Sequence, residues 1–344
     1  MNGRHPLWQL FLMRLRALWR EPSALFWIFV FPLLISLALG LAFRNQGSSK
    51  LTVAVAEGPG SAALVEVLGR TEGLQTQLLE LGEARRALAG GKVALVVVAG
   101  DRPRLLVDPG VPEGRTARLL VVDALQRKAG RTDALVLDEE HITTPGARYI
   151  DFLIPGLLGF GLMSSSVWGL GWGLVQMRMG KLLKRLVATP MRKPDLLASF
   201  ILSRLLLALL EVGFFLAFAW LLFDVHVAGS LVAFGVVAAV GALSFGGLGL
   251  LVASRAQNSE TAGGLMNLVT LPMTVLSGVF FAASHFPAWM QPLVRVLPLT
   301  AVIDGLRAIS IDGASLVSQS GKLLVLAVWG VVAFALALRI FRWS

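Results

Sequence analysis

The chain's 344 residues include no cysteine. Disulfides, thiol nucleophiles and thiolate metal sites are therefore excluded. Charge is also scarce. Asp, Glu, Lys and Arg make up 15% of the residues, where a soluble domain carries about a quarter. A phosphate-binding glycine loop is missing too. The pairs Gly91-Lys92, Gly180-Lys181 and Gly321-Lys322 are followed by Val or Leu, not by the Ser or Thr that would hold Mg²⁺. His5, His141, His226 and His285 are scattered without ligand spacing, so no metal site is expected.

What the chain has instead is apolar sequence. Hydrophobic residues make up 56% of it, and long charge-free runs identify an integral membrane protein. The net charge of +10 fits basic loops facing anionic lipid better than a nucleic-acid partner, and none is expected. Residues 1–23 read as an amphipathic interfacial helix, with Trp8, Leu12, Leu15 and Trp19 on one face and Gln9, Arg16 and Arg20 on another. The first span lies within 24–43. Its Gly40-Leu41-Ala42 resembles a cleavage site, but the run is longer than a signal-peptide core and reads as an anchor. Five more spans are expected at Phe152–Met177, Leu205–Phe223, Val227–Ser254, Ala262–Ser284 and Leu323–Leu338. Pro32, Pro155 and Pro272 are expected to kink their helices.

Between the first two spans, residues 44–148 change to a soluble composition. "LTVAVAEGPG" reads as strand and turn, "SAALVEVLGR" as helix, "ALVVVAG" and "RLLVDPG" as strands, and "EGRTARLLVVDALQRKAG" as a longer helix. That alternation predicts a small α/β domain. The fold class is thus a polytopic α-helical membrane protein of six spans, with an α/β extracytoplasmic domain between the first and second. Sidedness follows from basic residues in short loops. Arg4, Arg14, Arg16 and Arg20, the cluster Arg178, Lys181, Lys184, Arg185, Arg192 and Lys193, and Arg339 and Arg342 share one face, which is cytoplasmic.

In "GKLLKRLVATP", Leu182, Leu183, Leu186 and Val187 make one helical face, and Lys181, Lys184 and Arg185 the other. Pro190 disfavours a helical Thr189 and ends the helix. On physics alone this is either a topology signal touching headgroups or a docking helix. Glu211 inside the third span must face a partner or a polar cavity, as a structural hydrogen bond or a pathway group. Ser164, Ser166 and the glycines of "GLGWG" and "SFGGLGLL" favour close helix packing over a polar pathway. Asp151 reads as an interface residue. Residues 285–303, broken by Pro287, Pro292 and Pro298, are expected to dip into the outer leaflet as re-entrant helices, burying Trp289 and Met290 there.

Two segments resemble the permease subunits of type-2 ATP-binding-cassette (ABC) exporters. One is the loop ending in Thr189-Pro190. The other is "SGVFFAASHFPAWMQPLVRVLPLTAVIDGLR", Ser277–Arg307. The order of interfacial helix, span, large external domain and five spans (149–344) is similar as well. The resemblance implies that residues 180–190 form a coupling helix docking into a separate ATPase, two copies of which would bind. Its contacts would be Lys181, Leu182, Leu183, Lys184, Arg185, Leu186, Thr189 and Pro190, with Asn258 and Glu260 of the next cytoplasmic loop. It implies a second permease chain, an identical or a related one with a homodimer favoured, and Asn267 facing that interface. Glu211, Ser164, Ser166 and Asn267 are the candidate pathway or intramembrane polar groups. No cofactor is expected on this chain; ATP and Mg²⁺ belong to the ATPase, so the chain is no enzyme. It further implies a multi-pass protein of a prokaryotic plasma membrane exporting drug-like or lipid-like cargo. The family often carries acidic residues where this chain has Met177 and Met179, so the partner's groove is expected to be more acidic. A membrane receptor or scaffold is the alternative. A secondary transporter fits least, because intramembrane charge in several helices and an internal repeat are lacking.

Overall fold

The structure is a computed structural model that describes residues 6–42, 50–100, 103–108, 110, 112–132, 148–188, 193–256 and 258–340. The chain divides into two compact units, 1–44 with 143–344, and 45–142.

The smaller unit is an α/β fold around a four-stranded sheet. In chain order it runs β1 (Leu51–Ala56), α4 (Ser61–Gly69), β2 (Leu74–Leu79), α5 (Leu81–Ala89), β3 (Leu95–Val98), β4 (Arg104–Leu106) and α6 (Pro112–Lys128); α1 to α3 precede it in the other unit. The sheet order is β2-β1-β3-β4, parallel except for the antiparallel β3–β4 pair. β1 and β3 read Val-Ala-Val-Ala and Leu-Val-Val-Val because helices cover both sheet faces. Val53 and Val55 pack with Leu64, Leu68 and Val121 on one side, and Ala54 and Ala56 with Ala84 on the other. β2 and α5 have no counterpart in the sequence reading. β2, "LQTQLL", is an edge strand that fully buries only Leu74, so it carries no apolar alternation.

The larger unit is helical. α1 (Pro6–Trp19) leads into α2 (Pro22–Leu25), a π-helical turn (Phe26–Val30) and α3 (Phe31–Ala42). Pro32 has no N–H to give Ile28, and just before it the Phe31 N–H reaches back five residues to the Phe26 carbonyl. Then come α7 (Tyr149–Met179), α8 (Leu182–Val187), α9 (Lys193–Phe223), α10 (Leu231–Arg255) and α11 (Ser259–Leu276). α12 (Gln291–Val296), α13 (Pro298–Ser310) and α14 (Ser320–Ile340) complete the unit. Among the described residues, four helices are long and apolar enough to cross a membrane: Tyr149–Met179, Ala198–Phe223, Leu231–Arg255 and Val317–Ile340. Phe26–Ala42 is apolar but shorter.

α7 and α10 form the enclosed centre, whereas α9 and α14 expose most of their surface. That surface is apolar (Leu210, Phe214, Trp220, Leu221), as a lipid-facing surface must be. The central pair approaches closely because glycines remove side chains at the crossing. A Cβ on Gly249 would lie 3.0 Å from the Ser166 carbonyl, and one on Gly171 3.0 Å from the Gly249 carbonyl.

Two differences from the expected spans have physical causes. α9 begins twelve positions before Leu205, because the charge of Arg204, which breaks the apolar run, is paired inside the fold. α11 ends at Leu276, not Ser284: Gly278 takes a φ of +75°, which turns the chain out of the helix. In the segment expected to dip into the outer leaflet, Trp289 is 79% exposed on the protein surface and Val294 is the buried residue nearby.

The two ends of the bundle are each tied together. At one end, Arg178 Nη1 donates to the carbonyls of Ala253 and Ala256, both at 2.8 Å. At the other, the Ala228 and Gly229 amides donate to the Ser310 and Ile309 carbonyls. Arg148 Nη1 there donates to the Phe223 carbonyl at 2.9 Å. The loops after α7 and α10 therefore share one end, and the loops after α9 and α13 share the opposite one.

Candidate functional site

The helix α9 carries Arg204 and Glu211 seven positions apart, two turns along one face. Both are almost wholly buried (side chains 2% and 3% exposed), with Arg204 Nη2 3.3 Å from Glu211 Oε2. α7 supplies the rest of the shell. Arg204 Nε donates to Ser166 Oγ (2.6 Å), and Nη2 donates to Ser165 Oγ (2.9 Å) and the Leu162 carbonyl (3.1 Å). Ser166 Oγ in turn donates to the Leu162 carbonyl, 2.5 Å away. Ser165 Oγ lies 3.0 Å from Glu211 Oε2 and 2.6 Å from the Gly161 carbonyl; its single hydrogen serves one at a time. Gly161 makes room for the carboxylate, since a Cβ there would sit 2.8 Å from Oε1. Ser164 is half-buried beside this network and outside it.

The basic hairpin follows α7. Lys181 adopts a φ of +56°, which reverses the chain between α7 and α8. Lys181 and Arg185 are exposed, and Leu182 is 38% exposed. Leu183 is turned into the chain's own core at 1% exposure. The side chains of Lys184 and Leu186, and residues Thr189 and Pro190 altogether, lie outside the described residues. Asn258 caps α11, its Oδ1 accepting the Thr261 amide at 2.8 Å, and both Asn258 and Glu260 are exposed. Asn267 is exposed on α11 next to Leu268 and Leu271, which are exposed too.

At the other end, the segment singled out as Ser277–Arg307 closes on itself. Arg307 Nη2 donates to the Gly278 carbonyl at 2.8 Å, and its Nε to the Phe152 carbonyl at 3.1 Å. Its guanidinium carbon also lies 3.4 Å from the Phe152 ring centroid. A Cβ on Gly156 would strike the Val279 carbonyl at 2.4 Å, so that glycine is what lets the turn lie against α7. Asp151 is buried in the first turn of α7. It completes a cap with Arg148, whose Nη2 lies 2.8 Å from Asp151 Oδ1. That hydrogen bond raises the Arg148 guanidinium above its ordinary range.

Sequence reasoning missed Arg204, Ser165, Arg178 and Arg307 as connectors. For Arg204 a signal existed: a cation and an anion seven apart within one apolar helix share a face.

Residues 119–311, more than half of the chain, match the family model described as ABC-2 type transporter. The chain is 23% identical over 177 residues to the linearmycin resistance permease protein LnrN of Bacillus subtilis, covering 52% of this chain and 46% of that protein. It is 33% identical over 106 residues to nodulation protein J of Rhizobium meliloti, covering 31% and 40%. It is 26% identical over 174 residues to ABC transporter G family member 20 of Dictyostelium discoideum, covering 50% and 24%. The chain thus spans less than half the length of each of these curated relatives.

Proposed function

The chain belongs to the ABC-2 type transporter family, and from that premise we propose that it is the membrane-spanning permease of an ATP-driven exporter. It works without chemistry of its own, and two copies form the pathway about a two-fold axis. A separate ATPase binds each copy at the end that carries Lys181, Leu182 and Arg185. The observation that carries this reading is the α7–α8 hairpin. A short helix at the end of a long central one anchors Leu183 in the core and leaves Leu182 and two cations outward. Such an element transmits push: a partner gripping α8 moves α7, and α7 moves α10 through their glycine contact. Asn258 and Glu260 share that end and supply a second contact, and the exposed α11 face around Asn267 is offered to the second copy.

Six crossings are part of this proposal. A rise of about 1.5 Å per residue makes the continuous helical stretch 22–42 roughly 30 Å long and α11 roughly 27 Å, near the thickness of a hydrocarbon core. The basic end is cytoplasmic and residues 44–148 are extracytoplasmic, in a prokaryotic plasma membrane. Resistance in the name of the Bacillus relative favours drug-like or other amphipathic cargo here.

The test is purification of the full chain in mild detergent from its own host, beside Leu182→Asp and Arg185→Glu, which spare the buried Leu183. Wild type is expected to bring down an ATPase identified by its sequence and by ATP hydrolysis, and both variants to lose it while remaining folded. No ATPase with wild type under gentle conditions would overturn the reading and leave the receptor alternative.

A further inference from the structure

A cleft of about 60 Å³ opens where α1, the π-helical turn, α7 and α9 meet. Two guanidiniums line it, Arg14 from α1 and Arg204 from α9. Each has a spare donor: Arg14 Nη1 and Arg204 Nη1 are buried and have no hydrogen-bond partner among the described residues. One face of the Arg14 guanidinium is taken by the Phe200 ring, whose centroid is 3.2 Å from the guanidinium carbon, and its N–H groups point along the edge. Glu211 neutralises Arg204 and nothing acidic lines the cleft, so one positive charge remains in excess there. Burial lowers the Arg14 guanidinium to about 9, which still leaves it a cation at neutral pH.

The remaining walls are chiefly apolar: Leu15, Leu18, Ile28 and Leu207 line the same cleft. Its volume is less than a whole phospholipid occupies. Next to it, Trp19, Phe26 and Trp27 of α1 and the π-helical turn are exposed, a surface suited to acyl chains. Two unused guanidinium N–H groups ask for an acceptor with several oxygens, which is what a phosphodiester presents.

We infer that this cleft holds the phosphate headgroup of an anionic phospholipid, its acyl chains running outward over Phe26 and Trp27. The site belongs to the membrane unit and does not depend on the exporter reading. A free phosphate shares the headgroup's chemistry but not its chains. The lipid is favoured because the cleft is walled by apolar side chains and flanked by exposed aromatic ones.

The experiment is native mass spectrometry of the full chain, with any co-purifying partner, from neutral detergent containing equal phosphatidylglycerol and phosphatidylcholine. The wild-type chain is expected to retain phosphatidylglycerol about tenfold over phosphatidylcholine, because both offer a phosphodiester but the choline cation opposes the cleft's excess positive charge. Arg14→Gln removes one donor. Gly169→Phe fills the mouth of the cleft and leaves both arginines and the ion pair intact. Gly169 lines the cleft, and a Cβ there meets nothing within 4 Å, so the fold accommodates the change. Both variants should lose the preference with melting temperatures near wild type. If Arg14→Gln unfolds, Gly169→Phe decides alone. Equal retention of the two lipids by wild type would overturn the inference, as would an undiminished preference in Gly169→Phe. Inorganic phosphate that displaces phosphatidylglycerol fully would also overturn it, by showing a free-anion site.

Discussion

Glu211 and Arg204 put two opposite charges inside an apolar helix, and each makes the other tolerable. Removing one partner leaves the other buried and alone, at a cost of about 3–5 kcal/mol, whereas replacing both by apolar side chains of similar volume is often neutral. Glu211→Gln is therefore expected to lower the melting temperature in detergent sharply. Arg204→Met with Glu211→Met should recover most of the loss, and a thermodynamic cycle over the four proteins should show strong coupling. Independent, additive losses would mean that the 3.3 Å pair contributes nothing as a pair. The sequence made Glu211 conspicuous, because a carboxylate in a charge-free run needs a partner. It left the partner open, since Arg204 seemed to stand before the span. Ser165 was equally hidden: three consecutive serines are alike in sequence, and only the rotation of α7 against α9 decides which two face the arginine. Leu183 shows the same limit from the other direction. An apolar face on a short helix can serve the chain's own core or a partner, and here one leucine serves the core and its neighbour stays outward.

At the scale of elements, the glycine-rich stretches of α7 and α10 read correctly as packing surfaces because small residues in membrane helices allow backbones to meet. Which glycine matters was not legible, since it depends on the crossing point. Gly249 and Gly235 lie on the same helix and separate the two cases. A Cβ at Gly249 lies 3.0 Å from the Ser166 carbonyl and 3.1 Å from Val167 Cα, whereas one at Gly235 meets nothing within 4 Å. Gly249→Val should push α10 off α7 and cost about 1–3 kcal/mol or more, the usual cost of overpacking. Gly235→Val should be close to neutral. Melting temperature and monodisperse yield in detergent check the contrast, and equal behaviour of the two variants would refute the contact. Elements with strong periodicity or β-branched runs were legible from sequence, β1, β3 and α6 among them. β2 and α5 were not, because an edge strand with one buried residue and a helix with one buried alanine leave little pattern to read. Nor was the closure of Gly278 onto Arg307, since a carbonyl acceptor twenty-nine residues away has no signature in sequence.

At the scale of the molecule, the alternation of helix direction is fixed by contacts at both ends, but contacts do not say which end faces the cytoplasm. Charge is what supports the proposed orientation. The end tied by Arg178 to Ala253 and Ala256 carries Lys181, Arg185 and Arg255, while the opposite end exposes Asp224 and Asp312 beside a single arginine of the α7 cap, Arg148. Short basic loops stay on the cytoplasmic side. The inserted unit follows by connectivity. A Cβ on Gly40, near the end of α3, would meet Phe223 and Ile150, so the first helix finishes at the Asp224 end, where α7 also begins. Under the proposed orientation, the chain would leave and re-enter the bundle at the Asp224 end, and labelling tests whether residues 44–148 are extracytoplasmic. Since the protein has no cysteine, single substitutions report position without background. His226→Cys, Ser315→Cys and Glu66→Cys are expected to react with a membrane-impermeant maleimide on intact cells. Arg185→Cys and Asn258→Cys should react only after the membrane is opened. The reverse pattern would invert the protein and remove the ATPase-facing role of α8. Labelling of all five on intact cells would break the alternation itself, against the contacts that tie each end of the bundle.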